Sequence, residues 1–115
     1  MAEAPRIALL APNLFLRIPL ETAIRNAGAQ PIAIVQAADA LHHGCRAVVL
    51  DLDAVGDGAS EAITALVHGG IGVLAFGPHV DAARLAAARR AGAVALPRSS
   101  FLARLPELLA LVLAP

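Results

Sequence analysis

The sequence predicts an α/β fold: a three-layer sandwich with a central five-stranded parallel sheet in the order 2-1-3-4-5 and helices on both faces. Three observations carry that prediction. The stretch Arg46-Ala47-Val48-Val49-Leu50-Asp51-Leu52-Asp53 runs apolar without alternation and stops at two carboxylates, the pattern of a central strand covered on both sides. Five short apolar runs of this kind alternate with segments of helical period along the chain. Right-handed crossovers between parallel neighbours then leave the flavodoxin-like strand order as the simplest arrangement. At 115 residues the chain is one domain, residues 1–115, with enough length for a real core.

Arg6-Ile7-Ala8-Leu9-Leu10-Ala11 reads as the first strand. Pro12 breaks it, and Asn13 is a good helix N-cap because its side-chain oxygen can accept an orphan N–H. From Leu14 to Ala27 the period is helical, with Leu16, Leu20, Ala23, Ile24 and Ala27 on one face. Arg17, Glu21 and Arg25 occupy the other face at a spacing where opposite charges attract weakly. Pro19 should kink this helix or delay its start, and Gly28 should cap its end.

Residues Pro31-Ile32-Ala33-Ile34-Val35 form the second expected strand, followed by a short helix from Gln36 to His43 that Gly44 ends. After the central third strand, the turn Val55-Gly56-Asp57-Gly58 leads to a helix over about Ser60 to His68, with Ser60 as its expected cap. Val73-Leu74-Ala75-Phe76 is the fourth strand, broken by Gly77-Pro78-His79. An alanine-rich helix from Asp81 to Ala91 closes with Arg89 and Arg90, which suit the negative end of a helix dipole. Gly92 stops it, and Ala93-Val94-Ala95-Leu96 is the fifth strand. Pro97-Arg98-Ser99-Ser100 leads into a last helix to about Leu113, interrupted or delayed by Pro106.

Composition removes several function classes. Hydrophobic residues make up 58%, yet no apolar run approaches the roughly 20 residues of a membrane span. Nine basic residues, all arginine, balance nine acidic ones and are scattered, against the basic footprint of nucleic-acid binding. The opening Met1-Ala2-Glu3-Ala4-Pro5 has no positive n-region, so no signal peptide is expected. A single cysteine excludes an internal disulfide and fits a reducing, cytoplasmic setting.

With these elements in place the chain resembles a response-regulator receiver domain over nearly its whole length. Val48-Val49-Leu50-Asp51-Leu52-Asp53 is similar to the family's phosphoacceptor strand, with Asp51 at the phosphorylated position, and Ala91-Gly92-Ala93 resembles the small-residue triplet that ends its fourth helix. The resemblance also implies positions where this chain departs. The two magnesium-binding acids that end the family's first strand are replaced by Ala11-Pro12, with Asn13 next. The hydroxyl residue ending the fourth strand is Gly77, and the lysine after the fifth is matched by Arg98, shifted by one residue. Phosphoryl transfer to a carboxylate needs metal and cation to neutralise the moving charge, and Mg²⁺ wants several oxygen ligands. No cofactor is therefore expected, Asp51 being the one place from which a magnesium site would have to start. The expectation is a stand-alone degenerate receiver, not an enzyme, acting as a protein-interaction module. The alternatives are an active receiver phosphorylated at Asp51 and a small-ligand-binding flavodoxin-like protein.

The candidate pocket is thus Asp51, Asp53, Asn13, Gly77 and Arg98, with Asp51 facing inward, Asp53 in a loop, and Arg98 as the cation expected to pair with them. His42, His43 and Cys45 match no closed zinc pattern and read as a polar helix end and a small buried thiol. His79 stands on the sheet edge where chemistry gathers, but a lone histidine in a Gly-Pro-His turn reads as a solvated residue. Gly69-Gly70-Ile71-Gly72 precedes a strand, whereas a phosphate cradle follows one and opens a helix. In the last helix Phe101, Leu102, Leu105, Leu108, Leu109, Val112 and Leu113 form a wide apolar arc, with Leu111 outside it. Together with Ala82 and Ala86 on the alanine-rich helix, Leu111 marks a face on which the chain is expected to form a homodimer. The sequence identifies no other partner.

Overall fold

In the computed structural model, which describes residues 3–78 and 80–115, five parallel strands form one sheet in the order β2-β1-β3-β4-β5. The strands are β1 (Arg6–Leu10), β2 (Gln30–Ala33), β3 (Ala47–Asp51), β4 (Gly72–Gly77) and β5 (Val94–Pro97). The helices are α1 (Leu14–Asn26), α2 (Asp39–His42), α3 (Leu52–Val55), α4 (Ala59–His68), α5 (Ala82–Arg90) and α6 (Arg98–Leu113). The architecture and strand order are those the sequence predicts.

Strand side chains alternate between the two faces, which gives the sheet two cores. Ile7 and Leu9 of β1, Ala47 and Val49 of β3, and Leu74 and Phe76 of β4 pack with Leu20 and Ile24 of α1 and with Phe101, Leu105 and Leu109 of α6. Ala8, Leu10, Val48, Leu50 and Ala75 face the other way, onto Ile63 and Leu66 of α4 and Leu85 and Ala88 of α5. Phe76 and Phe101 bring their rings to 5.1 Å in a tilted pair, locking α6 onto the centre of the sheet. β3 is buried at all five residues because its apolar run serves both cores at once.

Several boundaries differ from the sequence expectation, each for a local reason. Pro19 does not delay α1: Asn13 caps it, accepting the Phe15 N–H at 2.9 Å, and the helix starts at Leu14. Proline's missing N–H falls opposite the Phe15 carbonyl, in an exposed first turn where water can serve instead. Pro106 likewise sits inside α6, which begins at Arg98 and includes both serines. The expected attraction of Glu21 to Arg17 and Arg25 gives no ion pair among the described residues.

β2 ends at Ala33. Ile34 N–H still bonds the Leu9 carbonyl at 3.0 Å, but Val35 leaves the sheet and is 88% exposed. The expected helix from Gln36 shrinks to Asp39–His42, preceded by turns. β3 stops at Asp51, since Leu52–Asp53 turns into α3. Ser60 is not a cap; it lies in the first turn of α4 behind the 3₁₀ turn Gly56–Gly58. β5 is shifted by one residue because Ala93 N–H closes the preceding turn on the Ala88 carbonyl. That turn demands glycine: Gly92 has φ +113°, and a Cβ there would meet Val67 at 3.1 Å.

Candidate functional site

The carboxyl edge of the sheet gathers the expected pocket residues, but ties them up differently. Asp51 ends β3 with only 6% of its surface exposed, a buried charged group among apolar neighbours. Its side chain is the N-cap of α3: Oδ1 accepts the Asp53 N–H at 3.0 Å. Burial pushes the Asp51 carboxyl above the usual carboxylate range, opposed by that N–H. The neighbouring Asp53 charge adds to the rise, while Arg98 and the Ala54 N–H act against it.

Asp53 does not lie in a loop. It occupies the first turn of α3, and its carboxylate points outward to accept a bond from Arg84 Nη1 at 2.8 Å. Arg84 Nε meets Asp81 at 3.2 Å, and Asp81 in turn caps α5 by accepting the Arg84 N–H. One guanidinium therefore joins the end of β3 to the start of α5. Arg98 is exposed and forms no ion pair among the described residues, so the expected pairing with Asp51 is replaced by one between Arg84 and Asp53. The influence of Arg98 on Asp51 is through space. The sequence carried half a signal for Arg84, since Asp81 and Arg84 are three residues apart at a helix start. Its partner 31 positions away was not visible there.

Gly77 is the buried last residue of β4, opposite Pro97 of β5. A Cβ at this position would lie 3.5 Å from Leu52, an ordinary contact, so sterics do not require glycine. Asn13 spends its side-chain oxygen on capping α1. His79 lies outside the described residues. A shallow hollow of about 420 Å³ between the ends of β4 and β5 is lined by Pro78, Pro97, Arg98, Ser99 and Leu102. Leu102 accordingly leaves the core arc and is 38% exposed.

These residues do not fit a magnesium ion. A hard cation needs converging oxygen ligands, normally with carboxylates free to bind it. The Asp51 oxygen is a helix cap, the Asp53 carboxylate is held outward by Arg84, and the end of β1 offers only Ala11 and Pro12. Among the described residues no three His, Cys, Asp or Glu side chains form a metal-binding group. Cys45 is buried, which pushes its thiol pKa up despite nearby Arg6, while His42 and His43 are exposed. The glycines before β4 sit at the amino edge of the sheet, away from this site.

The face expected to self-associate surrounds the edge strand β5. Leu111 is 66% exposed, Ala82 is exposed and Ala86 is half-buried.

No family model and no curated protein matches this sequence. Solved structures do match its fold. A response regulator from Thermotoga maritima superposes with a TM-score of 0.78 at 16% identity, covering 98% of this chain and 100% of that one. A response regulator receiver protein from Burkholderia phymatum gives 0.72 at 19% identity, covering 94% of each. An orphan response regulator of H. pylori gives 0.67 at 18%, covering 91% of this chain and 96% of the other. The chain has the fold of a response-regulator receiver domain.

Proposed function

From the receiver fold we propose that this protein is a degenerate receiver, a phosphorylation-independent protein-interaction module of a cytoplasmic signalling pathway with no catalytic step of its own. The observation that carries the reading is the state of Asp51. The carboxylate at the phosphoacceptor position is used as the cap of α3, and the facing strand end supplies Ala11 and Pro12 where a metal would need acids. A phosphoryl group placed there would meet no metal site and no paired cation to balance its charge. A fixed surface presented by a rigid scaffold remains available for recognition. No described helix is long and apolar enough to cross a membrane, in keeping with this role.

The test is chemical. The protein is treated with acetyl phosphate or beryllofluoride in the presence of Mg²⁺, then followed by intact mass and amide NMR shifts. Neither reagent should modify Asp51. A saturable modification that disappears in Asp51→Asn would overturn the reading in favour of an active receiver.

A further inference from the structure

The strand order places a second feature at the point where the chain reverses direction across the sheet. From β1 the chain passes to β2 on one side, then returns to β3 on the other. In open parallel sheets such a reversal opens a crevice outside the carboxyl ends of the strands, where ligands collect. Here it contains a cavity of about 250 Å³, lined by Leu10, Ala11, Pro12, Ile34, Val35 and Arg17, with Ala54 of α3 beside them.

The side chains that line it are apolar except for one. Leu10, Ala11 and Ile34 are buried, and Val35 is 88% exposed. Arg17 is half-buried on α1 and is the only charged residue in the lining among the described residues. Helical side chains lean toward the helix N-terminus, which directs Arg17 back over Pro12 and the crevice. It forms no ion pair among the described residues, although Glu21 lies four positions further along the same helix. An apolar cavity with a single convergent cation selects a ligand with an apolar body and one negative end.

We propose that this crevice binds a small apolar carboxylate, its hydrocarbon body against Ala11, Pro12 and Ile34 and its carboxylate on the Arg17 guanidinium. Neither Asp51 nor Arg84 lines the site.

Titration of the whole protein with hexanoate, followed by amide NMR, tests this, with hexanol, acetate and hexylammonium as companions. Hexanoate should give saturable shifts at Ala11, Ile34 and Ala54. Hexanol and acetate should each bind about tenfold more weakly or less, having lost one half of the recognition, and hexylammonium should not bind there. Arg17→Gln should weaken hexanoate by about tenfold, and Ala54→Leu should weaken it by filling the cavity, while Asp51→Asn leaves it unchanged. Equal binding of hexanoate and hexanol, shifts reproduced by acetate alone, or no saturable shift at these amides overturns the proposal. The wild-type ligand series decides the question even if a variant fails to fold.

Discussion

Arg84 donates from Nη1 to Asp53 Oδ1 at 2.8 Å, and through this contact the first turn of α5 is tied to the turn that follows β3. The same guanidinium meets Asp81 at 3.2 Å, so one cation is shared by two carboxylates from separate elements. Arg84 and Asp53 are 31% and 47% exposed, a range in which solvent screens each pair. The contact adds little energy, but it fixes the relative placement of two segments at the carboxyl edge of the sheet.

Removing the shared cation should show that division between energy and position. Arg84→Ala is expected to cost about 1 kcal/mol or less in urea unfolding, while broadening or shifting the amide signals of Asp53, Ala54 and the start of α5. Arg98→Ala should change stability by no more than about 0.5 kcal/mol, because its side chain is exposed and forms no ion pair among the described residues. If Arg98→Ala were the more damaging, Arg98 and not Arg84 would be the cation that organises this edge.

Asp51 should set the direction of one pH dependence. Burial raises its pKa above the unfolded value, so the native state holds this proton more tightly than the unfolded chain does. The resulting stability is full below the unfolded pKa of about 3.9 and is lost as the pH rises through the folded pKa. Asp51→Asn keeps a capping oxygen and removes the titration. It should be more stable than wild type near neutral pH, and the gap should close toward about pH 3. Urea midpoints for both proteins across this range measure it. A gap independent of pH would mean that the buried charge is not its cause.

Gly77→Ala tests whether the missing hydroxyl at the end of β4 reflects a steric need. The added Cβ has room against Leu52 and Leu85, and a strand glycine costs about 0.5–1 kcal/mol in conformational entropy. The substitution should therefore be neutral or stabilising by up to about 1 kcal/mol in thermal or urea unfolding. A loss of more than about 1 kcal/mol would point to a backbone requirement at this position.

Self-association is expected through the face around β5. Leu111 is largely exposed, Ala82 and Ala86 are small enough for close backbone approach, and β5 is an edge strand. A stable two-fold contact should bury roughly 1,200–2,000 Å² in total. Sedimentation at micromolar concentration should show a dimer that Leu111→Glu dissociates. A monomer throughout, or a dimer indifferent to this charge, would remove the face from consideration.

The sequence by itself determined the architecture. A run such as Ala47-Val48-Val49-Leu50 can be satisfied only between two apolar layers, and the alternation of such runs with helical periods leaves few ways to stack them. Asn13 and Gly28 were legible too, because capping is a property of a few adjacent residues: the Asn13 side chain bonds Phe15, and Gly28 has φ +88°. The position of Asp51 at the strand end followed from the same periodicity, whereas its use as a cap for α3 did not. What the tertiary structure decided was which charge meets which. Arg84 reaches Asp53 across 31 residues, Arg98 stays in solvent, and Arg17 lines a cavity made by β1, the segment after β2, and α3. A long flexible side chain can choose among several partners at nearly equal energy. That choice is made by where the packed sheet and helices place the partners, which no local pattern records.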